Sequence, residues 1–307
     1  MARAARRSRP NNGQPAMRSI DSRVPPRQSP MPELPEVETV RRGLLDTVLD
    51  RRIDRVEVGR ERTVRRTSRQ ALIDGLSGVV IVGFERRGKY LLGSLDSGYG
   101  LMVHLRMSGR LLVSPTGSKR PAHTHVVLTM GCVELWFVDP RTFGEVVVYD
   151  PERLEDEMPE LLRLGVDPIA DPFDADVLRS ALSGTSRAVK TVLLDQHRIA
   201  GLGNIYTDEV LHRARVRFDR PANALRQVEI SRLAGAITEV LTAAIESGGS
   251  TLDDTQYVDV AGRTGEFQHQ HLVYGRRDQG CLTCGKSVIH RATVGGRSTF
   301  FCPRCQK

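Results

Sequence analysis

The chain has 307 residues, enough for two domains or one large one. Hydrophobic residues make up 39% and charged residues 27%, and no apolar run approaches the roughly 18 residues that span a bilayer, which excludes a helical membrane protein. The formal charge of +8 points to a polyanionic partner, but seven Arg and one Asp in residues 1–30 carry +6 of it, so the remainder must bind a polyanion through local patches.

Residues 1–30 are rich in Arg, Pro, Ser and Asn and nearly free of apolar side chains, a composition that reads as a disordered basic extension. The same composition fits a transit peptide, and a start codon assigned too early, with Met31 the true start, is a third reading. From Pro35 a helix is expected: proline suits its first turn, Glu36 and Glu38 complement its dipole, and Val37, Val40, Leu44 and Val48 share one face.

Residues 53–150 change to short β-rich runs (VVIVGF, KYLLGSL, GLMVHLRM, RLLVS, HVVLTM, VELWFV, EVVVY) separated by Gly, Pro and Asp turns. That spacing predicts an antiparallel sandwich or barrel. Cys132, in this stretch, is expected to be a buried core residue. An acidic, proline-bounded segment from Asp150 to Pro159 reads as a linker. Helical periodicity follows over Asp174–Leu182, Val189–Asp195, Tyr206–Ala214 and Leu225–Ser247, the last with Leu233, Ile237, Val240, Leu241 and Ala244 at core spacing.

Four of the five Cys lie in the last 27 residues, as Cys281-x2-Cys284 and Cys302-x2-Cys305. The pairs, 17 residues apart, fit a tetrahedral four-thiolate site for one structural zinc ion with no open ligand position. Between them a hairpin is expected with Gly295-Gly296 at its tip, presenting Arg291 and Arg297. Of the 45 basic residues only five are Lys (Lys89, Lys119, Lys190, Lys286, Lys307). A GC-rich coding bias accounts for the ratio, yet each Lys merits inspection because Arg cannot replace a titratable amine.

Six motifs occur in order: Pro32-Glu33-Leu34-Pro35-Glu36-Val37-Glu38 after Met31, Arg86-Arg87-Gly88-Lys89-Tyr90, His104-Leu105-Arg106-Met107-Ser108-Gly109, Asp139-Pro140-Arg141-Thr142-Phe143-Gly144, Gly201-Leu202-Gly203-Asn204-Ile205-Tyr206, and the terminal Cys unit. From Met31 to Lys307 the chain resembles bacterial formamidopyrimidine-DNA glycosylases. The resemblance implies an α+β fold with four parts. Residues 1–30 lie outside it, 31–152 form an N-terminal antiparallel β-sandwich with flanking helices, 160–275 a helix-two-turn-helix DNA-binding domain, and 276–307 a zinc finger.

The resemblance also implies a bifunctional DNA glycosylase and abasic-site lyase for oxidised purines, acting as a monomer on double-stranded DNA, in a bacterial cytoplasm and associated with the nucleoid. Pro32, freed as the N-terminus, would attack deoxyribose C1′ and form a Schiff base. Glu33 matches the general acid, Lys89 the lysine of β-elimination and phosphate contact, and Arg297 the arginine of phosphate binding and δ-elimination. Met107, Arg141 and Phe143 match the wedge that fills the gap left by a flipped nucleotide. Asn204, Lys190, His123 and Arg187 match further DNA-contacting positions. Segment 259–272, with Arg263, Gly265 and Phe267, corresponds to a loop over the extruded base.

Two departures stand out. Many relatives carry a second Arg where this chain has Thr142. If translation begins at Met1 and nothing is removed, the Pro32 nitrogen is acylated and cannot form a Schiff base. Two other readings share parts of the pattern: an endonuclease VIII-type enzyme for oxidised pyrimidines, against which Leu34 and the Met-Arg-Phe wedge argue, and a non-catalytic DNA-binding protein with a blocked Pro32.

Overall fold

The computed structural model describes residues 31–252 and 257–307; the basic extension expected over 1–30 lies outside them. Helix α1 spans Leu34–Val48, and Glu36 Oε2 accepts from the backbone N–H of Glu33 (2.9 Å) across its first turn. Strand β1 (Arg55–Val58) and helix α2 (Arg69–Leu76) follow. Helix α2 is two turns long, capped by Ser68, whose Oγ accepts from Ala71 N at 3.0 Å, and it buries Leu72 and Leu76. A β-rich reading of this stretch passes over so short a helix.

Seven strands continue the domain: β2 (Ile81–Arg87), β3 (Tyr90–Leu95), β4 (Gly100–His104), β5 (Arg110–Pro115), β6 (Thr124–Met130), β7 (Val133–Val138) and β8 (Glu145–Tyr149). They form two antiparallel four-stranded sheets, in the orders β2-β3-β4-β8 and β1-β6-β7-β5. Phe84, Leu91, Val103 and Val146 of one sheet meet Val56, Leu111, Leu128 and Phe137 of the other in one core, closed by Val37, Val40, Leu44 and Val48 of α1. The expected sandwich is therefore present, and α1 is its lid.

Cys132 is exposed, contrary to expectation. It occupies the two-residue turn between β6 and β7, beside Gly131 at φ 61°, so the strand pattern stops one residue short of it. The acidic segment after β8 is not a free linker either. It winds into α3 (Leu154–Glu157) and α4 (Pro159–Leu162), and Met158 and Leu161 pack against Met102 and Val147 on the outer face of the sheet.

The helical part comprises α5 (Ala175–Leu182), α6 (Val189–Leu193), α7 (Asn204–Arg213) and α8 (Gln227–Glu246). Asp174 caps α5 by accepting from Asp176 and Val177 N, and α8 buries the five residues picked out by its periodicity. The chain ends in the hairpin β9 (His290–Val294) and β10 (Arg297–Phe301), with Gly295 and Gly296 at φ 54° and 75° in its turn. Phe301 belongs to the same core as α5–α8, so the hairpin is seated on the helices. Leu34 also joins that core, which plugs the first turn of α1 into the helical part. No helix among the described residues is long and apolar enough to cross a membrane.

Candidate active site and DNA interface

The sandwich and the helices meet at Glu33. Its carboxylate accepts from Ile205 N at 2.9 Å and Tyr206 N at 3.3 Å, at the positive end of α7. The Leu34 N–H donates to the carbonyl of Gly201 at 3.1 Å. This proximity explains the glycines of the Gly-Leu-Gly turn. Gly201 has φ 96° and a Cβ there would lie 2.5 Å from Leu34 Cδ1, while a Cβ on Gly203 would lie 2.2 Å from Glu33 Cδ.

Glu33 is 2% exposed. Burial pushes its carboxyl above the ordinary range, and the charge of Lys89 and the N–H groups of Ile205, Tyr206 and Gly203 pull it back. Lys89 is buried too, in the two-residue turn between β2 and β3 after Gly88 at φ 58°, one residue before the strand where it was expected. Burial lowers its ammonium, with the charges of Glu33 and Glu36 opposing and that of Arg297 adding to the effect. Glu33, Lys89 and Arg297, separated by up to 264 positions in sequence, thus share one electrostatic neighbourhood, and Pro32 precedes Glu33 directly in the chain. Such a set can hold a proton on an acid and present cations to an anionic substrate.

Behind it lies a network that the sequence reading passed over. Glu36, valued there only for the helix dipole, accepts from the Tyr206 hydroxyl and, at 2.7 Å, from Ser250 N. The Ser250 hydroxyl bonds Tyr206 (3.1 Å) and His271 Nε2 (3.1 Å). A Glu three residues after Glu33 and a Tyr two after Asn204 carry no signal of pairing, because their meeting depends on the interdomain packing.

Strand register brings the residues expected to form the wedge, Met107, Arg141 and Phe143, to the same end of the sandwich. Tyr90 pairs with His104 and His104 with Glu145, so Lys89, the loop 105–109 and the loop 139–144 are neighbours along one sheet edge. Asp139 ties the two loops, accepting from the Ser108 hydroxyl, from Arg141 N (3.1 Å) and from Gly144 N (2.7 Å). Phe143 is exposed, with the guanidinium of Arg141 5.0 Å from its ring centre and that of Arg62 at 5.9 Å. Met107 is half-buried. His123 is exposed at φ 66°, and its carbonyl accepts from Asp139 N at 3.0 Å, which places it next to the wedge. Arg65, Arg66 and Arg106 converge on one buried carboxylate, Glu145, at 2.6, 2.7 and 2.8 Å, and Arg66 also pairs with Glu160 at 2.6 Å, whereas Arg62 and Arg141 have no carboxylate partner among the described residues.

Asn204 donates one amide hydrogen to the Ser298 carbonyl at 2.9 Å and keeps a second donor. Arg187 is exposed but pairs with Asp195 at 2.9 Å. Lys190 is misassigned as a DNA contact: its side chain is 0% exposed, and its ammonium is spent on Asp208, Ser298 and Thr299. An apolar helix face turned inward has put the amine in the core, where no phosphate can reach it. Segment 259–272 is folded onto the protein, with Phe267 buried on Tyr206 at a ring separation of 5.7 Å and Arg263 exposed and paired with Asp259.

The four cysteines form the structural zinc site. Their sulfurs all lie within 4.8 Å of one another, and Cys281–Cys305 and Cys284–Cys302 are each 3.8 Å apart. Zn–S bonds of about 2.3 Å in a tetrahedron require sulfur separations of about 3.8 Å, whereas a disulfide requires about 2.05 Å.

A buried acid beside a lysine and an arginine, next to a basic, aromatic-tipped wedge and a zinc-held hairpin, is the equipment of a DNA-base glycosylase. Three family models match: the formamidopyrimidine-DNA glycosylase N-terminal domain over residues 31–146, the H2TH domain of the same glycosylases over 164–256, and the zinc finger found in FPG and IleRS over 279–307. A formamidopyrimidine-DNA glycosylase of Desulfitobacterium hafniense is 41% identical over 277 residues, covering 90% of this chain and all of that protein. One of Gluconobacter oxydans is 44% identical over 281 residues with the same coverage. Lactococcus lactis Fpg in complex with abasic-site DNA superposes with a TM-score of 0.82 at 35% identity, over 90% of this chain and 99% of that one. The wild-type Lactococcus enzyme with N7-benzyl-Fapy-dG DNA gives the same score and identity over all of its chain. The chain belongs to the formamidopyrimidine-DNA glycosylase family: it is a DNA-repair glycosylase with an H2TH domain and a zinc finger.

Proposed function

We propose that this glycosylase is bifunctional, excising oxidised purines and then cutting the abasic strand through a Schiff base on Pro32. The observation that carries the reading is Glu33: a carboxyl that burial keeps protonated more readily than usual, one residue from Pro32 and coupled to Lys89. Freed from Met31, Pro32 is a secondary amine, and α-amino groups titrate near ~8, so a useful fraction is unprotonated at neutral pH. The amine attacks C1′, Glu33 gives its proton to the sugar ring oxygen, the damaged base leaves, and an iminium joins Pro32 to the opened sugar. Loss of a C2′ proton then expels the 3′ phosphate, with Lys89 on the phosphate. A second elimination expels the 5′ phosphate, held by Arg297.

Met107, Arg141 and Phe143 fill the space left by the flipped nucleotide, and His123, Asn204 and, in part, Arg187 contact the backbone. The zinc site does no chemistry; it holds the hairpin that carries Arg297. A monomer acting on chromosomal DNA in the bacterial cytoplasm completes the proposal.

Borohydride trapping on a duplex with 8-oxoguanine opposite cytosine tests it, using one form that begins at Pro32 and one that keeps residues 1–30. A covalent adduct with the first form alone supports Pro32 as nucleophile. Tight duplex binding with no adduct from either form overturns the enzyme mechanism, and preference for oxidised pyrimidines in a lesion panel overturns the substrate class.

A further inference from the structure

Arg297 stands at the start of β10, immediately after the Gly295-Gly296 turn, so it rides on the tip of the hairpin. The nearest cysteine in sequence is Cys302, just past the end of that strand and five residues away, or about 17 Å of extended chain. A zinc ion at the base holds the hairpin but leaves its tip on a long lever.

We infer that the buried pair Lys190–Asp208 is a positioning device that fixes the tip of this hairpin, and with it the guanidinium of Arg297, against the helical domain. The ammonium of Lys190 donates to Asp208 Oδ1 at 2.6 Å, to Thr299 Oγ1 at 2.9 Å and to the Ser298 carbonyl at 3.2 Å, which uses all three of its donors. The other oxygen of Asp208 accepts from Phe300 N at 2.8 Å, and Asn204 adds a bond to the Ser298 carbonyl. Three successive residues after Arg297 are therefore held by α6 and α7. Helix α7 also carries the backbone donors that hold Glu33, so acid and arginine share one reference frame.

The choice of residues supports positioning over plain stability. A buried ion pair is commonly no more stabilising than a well-packed apolar pair of the same volume, whereas it specifies a single register. Lysine also suits the task in a chain that otherwise prefers Arg: its ammonium sends three donors in diverging directions, which a planar guanidinium cannot do. The inference rests on the lyase reading, since the role given to Arg297 comes from it.

The double variant K190M/D208N removes both charges and leaves an acceptor for Phe300 N. Starting at Pro32 and zinc-loaded, it is compared with wild type and with R297A for borohydride trapping and for the ratio of δ- to β-elimination products. The inference expects trapping close to wild type and a δ/β ratio lowered roughly tenfold toward that of R297A, in line with the cost of small misplacements of a catalytic group. T299V, nearly isosteric and losing one leg of the latch, should shift the ratio the same way by about twofold to fivefold, with zinc content and melting temperature kept. An unchanged ratio in a folded K190M/D208N overturns the inference; if that variant does not fold, an unchanged ratio in T299V does so alone. Absence of trapping and of δ product in wild type would instead remove the lyase reading itself.

Discussion

The carboxylate of Glu33 caps helix α7 through the backbone N–H of Ile205 at 2.9 Å, a bond between residues 172 positions apart. The acid is thus held by the helical domain while its own backbone belongs to the first turn of the sandwich's lid. Any motion between the two parts must move the acid.

Replacing Glu33 by Gln keeps the shape but removes the transferable proton. Excision of 8-oxoguanine in single-turnover assays should fall by about 10²–10⁴-fold, the usual contribution of a positioned acid. Binding to a duplex with a stable abasic-site analogue should change little. Excision within a few-fold of wild type would show that the proton comes from elsewhere.

Gly203→Ala tests the proximity itself. Gly203 has φ −130°, which alanine adopts freely, so the only penalty is the Cβ that would lie 2.2 Å from Glu33 Cδ. A loss of about 1–3 kcal/mol is expected from the overpacking, accompanied by a fall in excision beyond what the stability change explains. Full activity at unchanged stability would mean that the glycine is dispensable there.

Glu36 gives the protein a pH dependence of known sign. Burial, together with the charge of Glu33, raises its carboxyl from 4.5 to about 7. Between those values the folded protein keeps a proton that the unfolded chain has released, so the contribution of Glu36 to stability falls as pH rises. Denaturant titrations at pH 5 and pH 8 should show wild type losing about 1–3 kcal/mol relative to Glu36→Gln over that interval. A pH-independent difference would contradict the assignment.

Zinc removal should act on binding before chemistry. Chelation by phenanthroline is expected to release one metal ion per chain, unfold the hairpin seated on Phe301, and weaken duplex binding, with recovery on adding zinc. Retention of full affinity in metal-free protein would detach the finger from the DNA interface.

At the proposed wedge, Arg141→Ala and Phe143→Ala should each lower affinity for lesion DNA, because both side chains are assigned to the gap left by the flipped nucleotide. Arg62→Ala separates the two guanidinium groups that flank the Phe143 ring. Unchanged affinity for lesion DNA in Arg141→Ala would exclude its side chain from the gap.

Much of this architecture was readable from local chemistry. Alternating apolar runs give β2 to β8, the heptad-like spacing of Leu233, Ile237, Val240 and Leu241 gives α8, and the two Cys pairs give the metal site, because each depends on residues a few positions apart. The six motifs also singled out Pro32, Glu33, Lys89 and Arg297 as candidates, and packing brings the last three into one electrostatic neighbourhood. Where the pattern was one residue long it failed: Cys132, apolar in a β-rich stretch, sits exposed in a turn whose position follows from the pairing of β6 with β7.

Tertiary packing alone decided which charges remain available. Lys190 resembles a DNA contact in sequence, yet the inward turn of α6 commits it to Asp208 and the hairpin. Arg65, Arg66 and Arg106 would all count as basic patch, yet all three are tied to buried Glu145, with Glu160 also on Arg66, whereas Arg62 and Arg141 stand unpaired with any carboxylate among the described residues beside Phe143. Residue type and spacing determine what a side chain can do. Whether it does so depends on burial and on the nearest opposite charge, and both are set by segments 18, 80 and 109 positions away in the chain for these residues.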